Sequence, residues 1–183
     1  MYSRNSPTYE AAAKIASYGT LLLGEDVLSL SPAARKLYEL YQSAAVDGLA
    51  DRKKISLPTL GRMAAQVTIF EPVPLNPDDL ENEAEDDARI RLLGSATAQF
   101  YGEITGTLIS EYKNATIAGR ILKAIRLCQM ERNILAAATK IDGAETPLEL
   151  RAIYFPMTTD GKNANQIFCH LAISEMVEDS IQL

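Results

Sequence analysis

Cys169 and His170 stand side by side near the end of the chain; Cys128 is the other cysteine and His170 the single histidine. A thiolate nucleophile needs a base on its own side of the backbone, and a histidine metal site or proton relay needs further ligands. In a strand, Ile167, Cys169, Leu171 and Ile173 point one way, and Gln166, Phe168, His170 and Ala172 the other. Neighbours on opposite faces do not make a dyad. Cys128 lies in an apolar helical stripe and reads as a small buried hydrophobe. The run Asp78, Asp79, Glu81, Glu83, Glu85, Asp86, Asp87 lacks the D-x-[DN]-x-[DN]-G order and the glycine of a calcium loop, so segment 76–87 reads as a hydrated connection. Gly161-Lys162 lacks the earlier glycine of a phosphate loop, and G-x-G-x-x-G and G-x-S-x-G are absent. No catalytic residue and no metal ligand is named by these patterns, and the reading is of a protein that is not an enzyme.

The elements that position these residues follow from periodicity and punctuation. Arg89 to Leu93 alternates as a strand, Gly94-Ser95 breaks it, Ala96 to Tyr101 carries helix formers, and Gly102 and Gly106 mark a loop before the apolar run Thr107 to Tyr112. Asn114 opens the longest helix, in which Ile117, Ile121, Ala124, Ile125 and Cys128 form one apolar face. Arg120, Lys123 and Arg126 read as its solvated side. Further strands are expected at Gln66 to Phe70, Asn133 to Lys140, Thr146 to Met157 and Asn165 to Val177, with turns at Asp142-Gly143 and Asp160-Gly161. The small residues Ala136, Ala137 and Ala138 leave room for a cavity or for close helix packing.

Ahead of these lies an expected helical extension, residues 1–50, before a domain spanning 51–183. Thr8 to Ser17 has helical spacing, and Leu57 to Ala65 reads as a short helical turn. Ser31 and Pro32 cap and start a helix whose stripe is Ala33, Leu37, Leu40, Tyr41 and Ala44. Amphipathicity alone does not decide whether that stripe packs on the chain's own sheet or pairs two protomers.

Composition bounds the class. The chain has 183 residues, 47% hydrophobic and 23% charged, ordinary for one globular domain with an extension. The net charge of −6 resides in the acidic run; without those seven acids, 18 bases face 17 acids. No basic patch with interleaved aromatics suits nucleic acid, and Asp51-Arg52-Lys53-Lys54 reads as a solvated linker. Apolar runs are too short for a signal core or a membrane span, and two cysteines fit a reducing compartment. A cytoplasmic protein without membrane insertion is expected.

The segment Arg-Ile-Arg-Leu-Leu-Gly-Ser (89–95), followed by Phe100-Tyr101-Gly102-Glu103-Ile104-Thr105-Gly106, resembles the core of the PAS-like domains common in alphaproteobacteria. Leu148 to Met157, Asp160-Gly161 and the final apolar strand are similar to the family's closing hairpin. The resemblance covers about Leu57 to Val177; the acidic loop and the N-terminal extension depart from it. It implies an α+β, PAS-like fold: a five-stranded antiparallel sheet with flanking helices on one face and an N-terminal helical extension. It also implies a non-catalytic sensory or regulatory domain acting through protein–protein contacts, as a homodimer or on a signalling partner, and tuned by a small ligand. A carrier of haem or an apolar metabolite is the alternative. The pocket then falls to Phe100, Tyr101, Ile121, Ile125, Cys128, Ile153, Phe155, Cys169 and Leu171, which otherwise simply fill a core. The dimer or partner surface falls to Ala33, Leu37, Leu40, Tyr41 and Ala44. Haem through His170 is open, since PAS-like domains sometimes hold it, although the alternation puts His170 opposite the most apolar face. No cofactor is required by the residues. The Asn-Cys-Arg-Phe segment of blue-light flavin PAS domains is absent. No kinase, cyclase or DNA-binding segment accompanies the domain, so a stand-alone regulator acting on a partner is expected.

Overall fold

A computed structural model describes residues 20–73, 87–141 and 148–175. The expected helix at Thr8 to Ser17, most of the acidic loop and the Asp142-Gly143 turn lie outside them. In chain order the elements are β1 (Thr20–Leu23), α1 (Pro32–Ala44), β2 (Ala45–Val46), β3 (Leu49–Asp51), α2 (Leu57–Leu60), β4 (Val67–Val73) and β5 (Asp87–Leu93). Then come α3 (Ser95–Tyr101), α4 (Ala115–Glu131), β6 (Leu135–Ile141), β7 (Leu148–Thr158) and β8 (Gln166–Glu175). Tight 3₁₀ turns occupy Gly24–Ser29, Arg52–Lys54 and Gly61–Gln66.

The strands make one sheet in the order β1-β6-β7-β8-β4-β5, with every neighbouring pair on that path antiparallel. The five expected strands are β4 to β8. Among the described residues the sheet nevertheless has 8 strands, because the segment expected as a helical extension, with Asp51, supplies three more. β1 pairs with β6 from Thr20↔Ala138 to Leu23↔Leu135, and β3 runs parallel to the end of β7 through Ala50↔Met157. The segment 20–50 is therefore woven into the sheet. Thr107 to Tyr112 is not a strand; it turns alongside β5, held by bonds from Ile90 N to Thr107 O (3.0 Å) and from Ile109 N to Ala88 O (2.9 Å).

Helices cover both faces, not one. Val27, Leu37, Tyr41 and Ala44 pack on Ile69, Phe155, Met157 and Phe168 to make a core on the α1 side. Phe100, Ile125 and Cys128 pack on Phe70, Tyr154, Ile167 and Cys169 to make the other. Most of the α1 stripe packs inside the chain: Leu37, Tyr41 and Ala44 are buried, and Ala33 and Leu40 half-buried. Leu37, Tyr41 and Ala44 therefore pack on the chain's own sheet, while Ala33 and Leu40 keep part of their surface exposed. As the sequence requires, Ser31 caps α1 by accepting from Ala34 N, and Pro32 opens it.

Candidate ligand-binding site

α4 starts where Asn114 Oδ1 accepts a bond from Ile117 N at 3.1 Å, satisfying one of the helix's open donors. From that start Ile117, Arg120 and Ile121 fall on one face, at spacings of three and four residues, and turn toward the sheet. α3 is set by Gly94, whose N–H bonds to Val67 O at 2.7 Å. A Cβ at Gly94 would stand 2.4 Å from Ala65 O, so only glycine allows this approach. α3 then turns Thr97, Phe100 and Tyr101 inward. Tyr101 is held edge-on between two rings, at 4.8 Å from Phe100 and 5.9 Å from Tyr112.

Between these two helices and the sheet lies a cavity of about 70 Å³. Its floor comes from alternate residues of four adjacent strands: Ala137 and Thr139 of β6, Leu150, Ala152 and Tyr154 of β7, Cys169 and Leu171 of β8, and Thr68 and Phe70 of β4. The alanines of β6 and β7 leave the space that bulkier residues would fill. A second void of about 20 Å³ adjoins it, sharing Thr68, Phe70, Tyr101 and Ile121.

Five of the expected pocket residues meet here: Phe100, Tyr101, Ile121, Cys169 and Leu171. Ile125 and Cys128 lie further along α4 in the same core and do not line the space; Cys128 Sγ donates to Asn133 O at 3.4 Å. Ile153 and Phe155 belong to the other face of the sheet, packed under α1. Their place on β7 is taken by Ala152 and Tyr154, which pair with Leu171 and Cys169. Sequence reasoning missed Thr68, Phe70, Thr97, Ile117, Arg120, Ala137, Thr139, Leu150, Ala152 and Tyr154. Of these, only the alanine run gave a signal, marking where β6 is thin; Arg120 was read as part of the solvated side of α4.

His170 faces away from the cavity. Its partners across the strands, Val67 and Ile153, belong to the α1-side core. It is a buried structural histidine, and it cannot ligate a haem placed between α4 and the sheet. Burial lowers its pKa from the ordinary value. Burial also pushes the Cys169 thiol up to about 12, against a lowering bond with Tyr154, and raises Cys128 with Cys169 adding to the effect. Neither thiol supplies a thiolate at neutral pH.

The polar groups of the cavity are few and particular. Arg120 Nη2 donates to Thr139 Oγ1 at 2.5 Å. Thr97 is 3% exposed, yet among the described residues its hydroxyl has no hydrogen-bond partner. A mostly apolar recess with a few convergent polar groups is the usual chemistry of a small-molecule site. Among the described residues no group of three or more His, Cys, Asp or Glu is placed to hold a metal, and no helix is long and apolar enough to cross a membrane. Set against protein-family models, curated proteins and solved structures, the chain matches none.

Proposed function

We propose that this chain is a PAS-like sensory module that takes a small molecule between α3, α4 and the sheet and reports its presence to a protein partner. The observation that carries the reading is the cavity with, in its wall, the buried Thr97 hydroxyl, which has no partner among the described residues. Burying a hydroxyl without a partner costs free energy, and a bound molecule removes that cost. Five consecutive antiparallel strands under two helices agree with the resemblance carried by residues 89–106.

α4 offers a route for the report. One end roofs the cavity, and the chain just past its other end, at Arg132, meets the β2–β3 turn, where Arg132 Nε donates to Asp47 O at 3.2 Å and Tyr41 Oη to Gly48 O at 3.0 Å. Val46 and Met130, next to this junction in sequence, are 67% and 69% exposed, apolar surface of the kind partners use.

Native mass spectrometry of the purified chain, with and without a library of small organic molecules, checks the reading. The expected result is an adduct lost on denaturation and lost in Ala137→Leu, which fills the floor (Ala152→Val serves if the first variant does not fold). Equal binding by the filled variants, or no binding by any form, overturns it.

A further inference from the structure

Resting on the reading that the cavity is a ligand site, we infer that its ligand is a small uncharged molecule anchored by the Thr97 hydroxyl. Its body is apolar and ring-sized, and it carries one hydroxyl or carbonyl. Thr97 lines the cavity, is 3% exposed, and its Oγ1 has no hydrogen-bond partner among the described residues. Thr139 in the same lining differs, because its Oγ1 accepts from Arg120. A hydroxyl can donate once and accept twice, so a single ligand oxygen is enough to complete Thr97. That bond recovers the cost of keeping a buried hydroxyl unpaired, and no charge is needed for it.

Strand register places the two parts of this ligand. Gly94 N–H bonds Val67 O, so α3 enters beside Thr68 with Thr97 in its first turn. Thr68 pairs with Cys169, and Cys169 with Tyr154. The next cavity row is Leu171, Ala152 and Ala137, where two alanines leave the space. The polar group therefore lies at α3 and the apolar body over the alanines. Phe70, Phe100, Tyr101 and Tyr154 line the same space, and such rings pack well against another ring, edge-on or offset. An ion fares worse here. No acid is among the fifteen lining residues, so a cation meets no counter-charge, and an anion would compete with the bond that Arg120 already makes to Thr139. Leaving water for an apolar recess also costs an ion far more than a neutral molecule. At roughly 10–15 Å³ per water, about 70 Å³ holds about five to seven water-sized groups, which suits a molecule of about five to ten non-hydrogen atoms.

The test uses phenol, toluene and benzoate as probes at neutral pH, read by chemical-shift titration of the full chain. Phenol and toluene share a ring and differ in one group, a hydroxyl against a methyl. Thr97→Val keeps the side-chain shape and removes its hydroxyl. It should move the phenol-to-toluene preference about threefold to tenfold toward toluene, the worth of one net hydrogen bond. Thr97→Ser keeps a hydroxyl and should keep the wild-type preference, and Thr97→Ala serves if Thr97→Val does not fold. Benzoate should bind at least about tenfold weaker than phenol. A preference unchanged in the variants without the hydroxyl, with toluene still bound, overturns Thr97 as the anchor and leaves the cavity as a site. Benzoate that binds as tightly as phenol overturns the uncharged class. No binding of any probe overturns both the assignment and the site.

Discussion

Phe155 and Phe168 are directly opposed across β7 and β8, and their rings stack with centroids 4.2 Å apart and planes at 11°. Both are fully buried on the α1 side, and the Tyr41 ring closes over Phe155 at 5.5 Å. This stack, on the face away from the cavity, is the centre of the α1-side core. Phe155→Ala is expected to lower unfolding stability by about 3–5 kcal/mol, as large-to-small changes at fully buried aromatics do. Urea unfolding reads the loss. The folded fraction should bind cavity probes with unchanged affinity, whereas weakened binding would place Phe155 in the site after all.

Gly48 sits with φ at +77° in the β2–β3 turn, and a Cβ there would meet Arg132 O at 2.0 Å. Tyr41 Oη donates to both the Gly48 and Arg132 carbonyls, at 3.0 and 3.3 Å, so the backbone here is pinned from a third side. Gly48→Ala should cost about 3 kcal/mol or more, combining left-handed backbone strain with a clash against main chain. Gly106, with φ at +88° and open space around it, is the comparison. Gly106→Ala should cost only about 1 kcal/mol. Equal losses in the two variants would mean that the β2–β3 turn is not locked against the end of α4.

How far the sequence could be read differs sharply between elements. α4 was legible in full, because Asn114 caps it and Ile117, Ile121, Ala124, Ile125 and Cys128 repeat at helical spacing. β8 was legible down to its faces, with Cys169 and Leu171 toward the cavity and Phe168 and His170 away. β7 was not. Both of its faces are covered, so Leu150, Ala152, Tyr154 and Ile153, Phe155, Met157 are equally apolar, and alternation carries no sign that tells them apart. That ambiguity put Ile153 and Phe155 on the wrong side. β1 to β3 were hidden for another reason. They are only two to four residues long, and β1 pairs with β6, β3 with β7 and β2 with β3 alone, so no local period announces them. Arg120 was read as solvated because three bases on a helix usually are; its bond to Thr139 is a long-range contact with no local signature.

His170 makes stability depend on pH. Its Nε2 is buried without a hydrogen-bond partner among the described residues, and desolvation lowers its pKa in the folded chain. Below about pH 6.5 the unfolded chain takes up a proton that the folded chain resists, so stability falls as pH falls, by at most about 1.4 kcal/mol per pH unit from this group. The decline ends once pH passes below the lowered folded value. His170→Phe should flatten the profile between pH 6.5 and 5. Asp160 acts in a separate window: bonds from Asn163 and Lys162 hold its carboxyl well below the usual range, so its contribution is lost only as pH drops below about 4. An unchanged slope in His170→Phe above pH 5 would assign the effect to other groups.

Thr97 and Thr139 have the same side chain and face the same cavity, and they should respond oppositely to loss of the hydroxyl. Thr139 Oγ1 is the acceptor for Arg120 Nη2, so Thr139→Val withdraws an acceptor from a partly buried guanidinium and should cost about 1–3 kcal/mol. Thr97 Oγ1 has no protein partner among the described residues, so Thr97→Val keeps the shape and removes only a desolvated hydroxyl. That exchange should be neutral or stabilise the ligand-free chain by about 1 kcal/mol. Denaturant unfolding of the two variants without ligand makes the comparison. A Thr97→Val protein that loses as much as Thr139→Val would mean that ordered water already satisfies the hydroxyl. The cavity wall would then hold no unmet hydrogen bond for a ligand to complete.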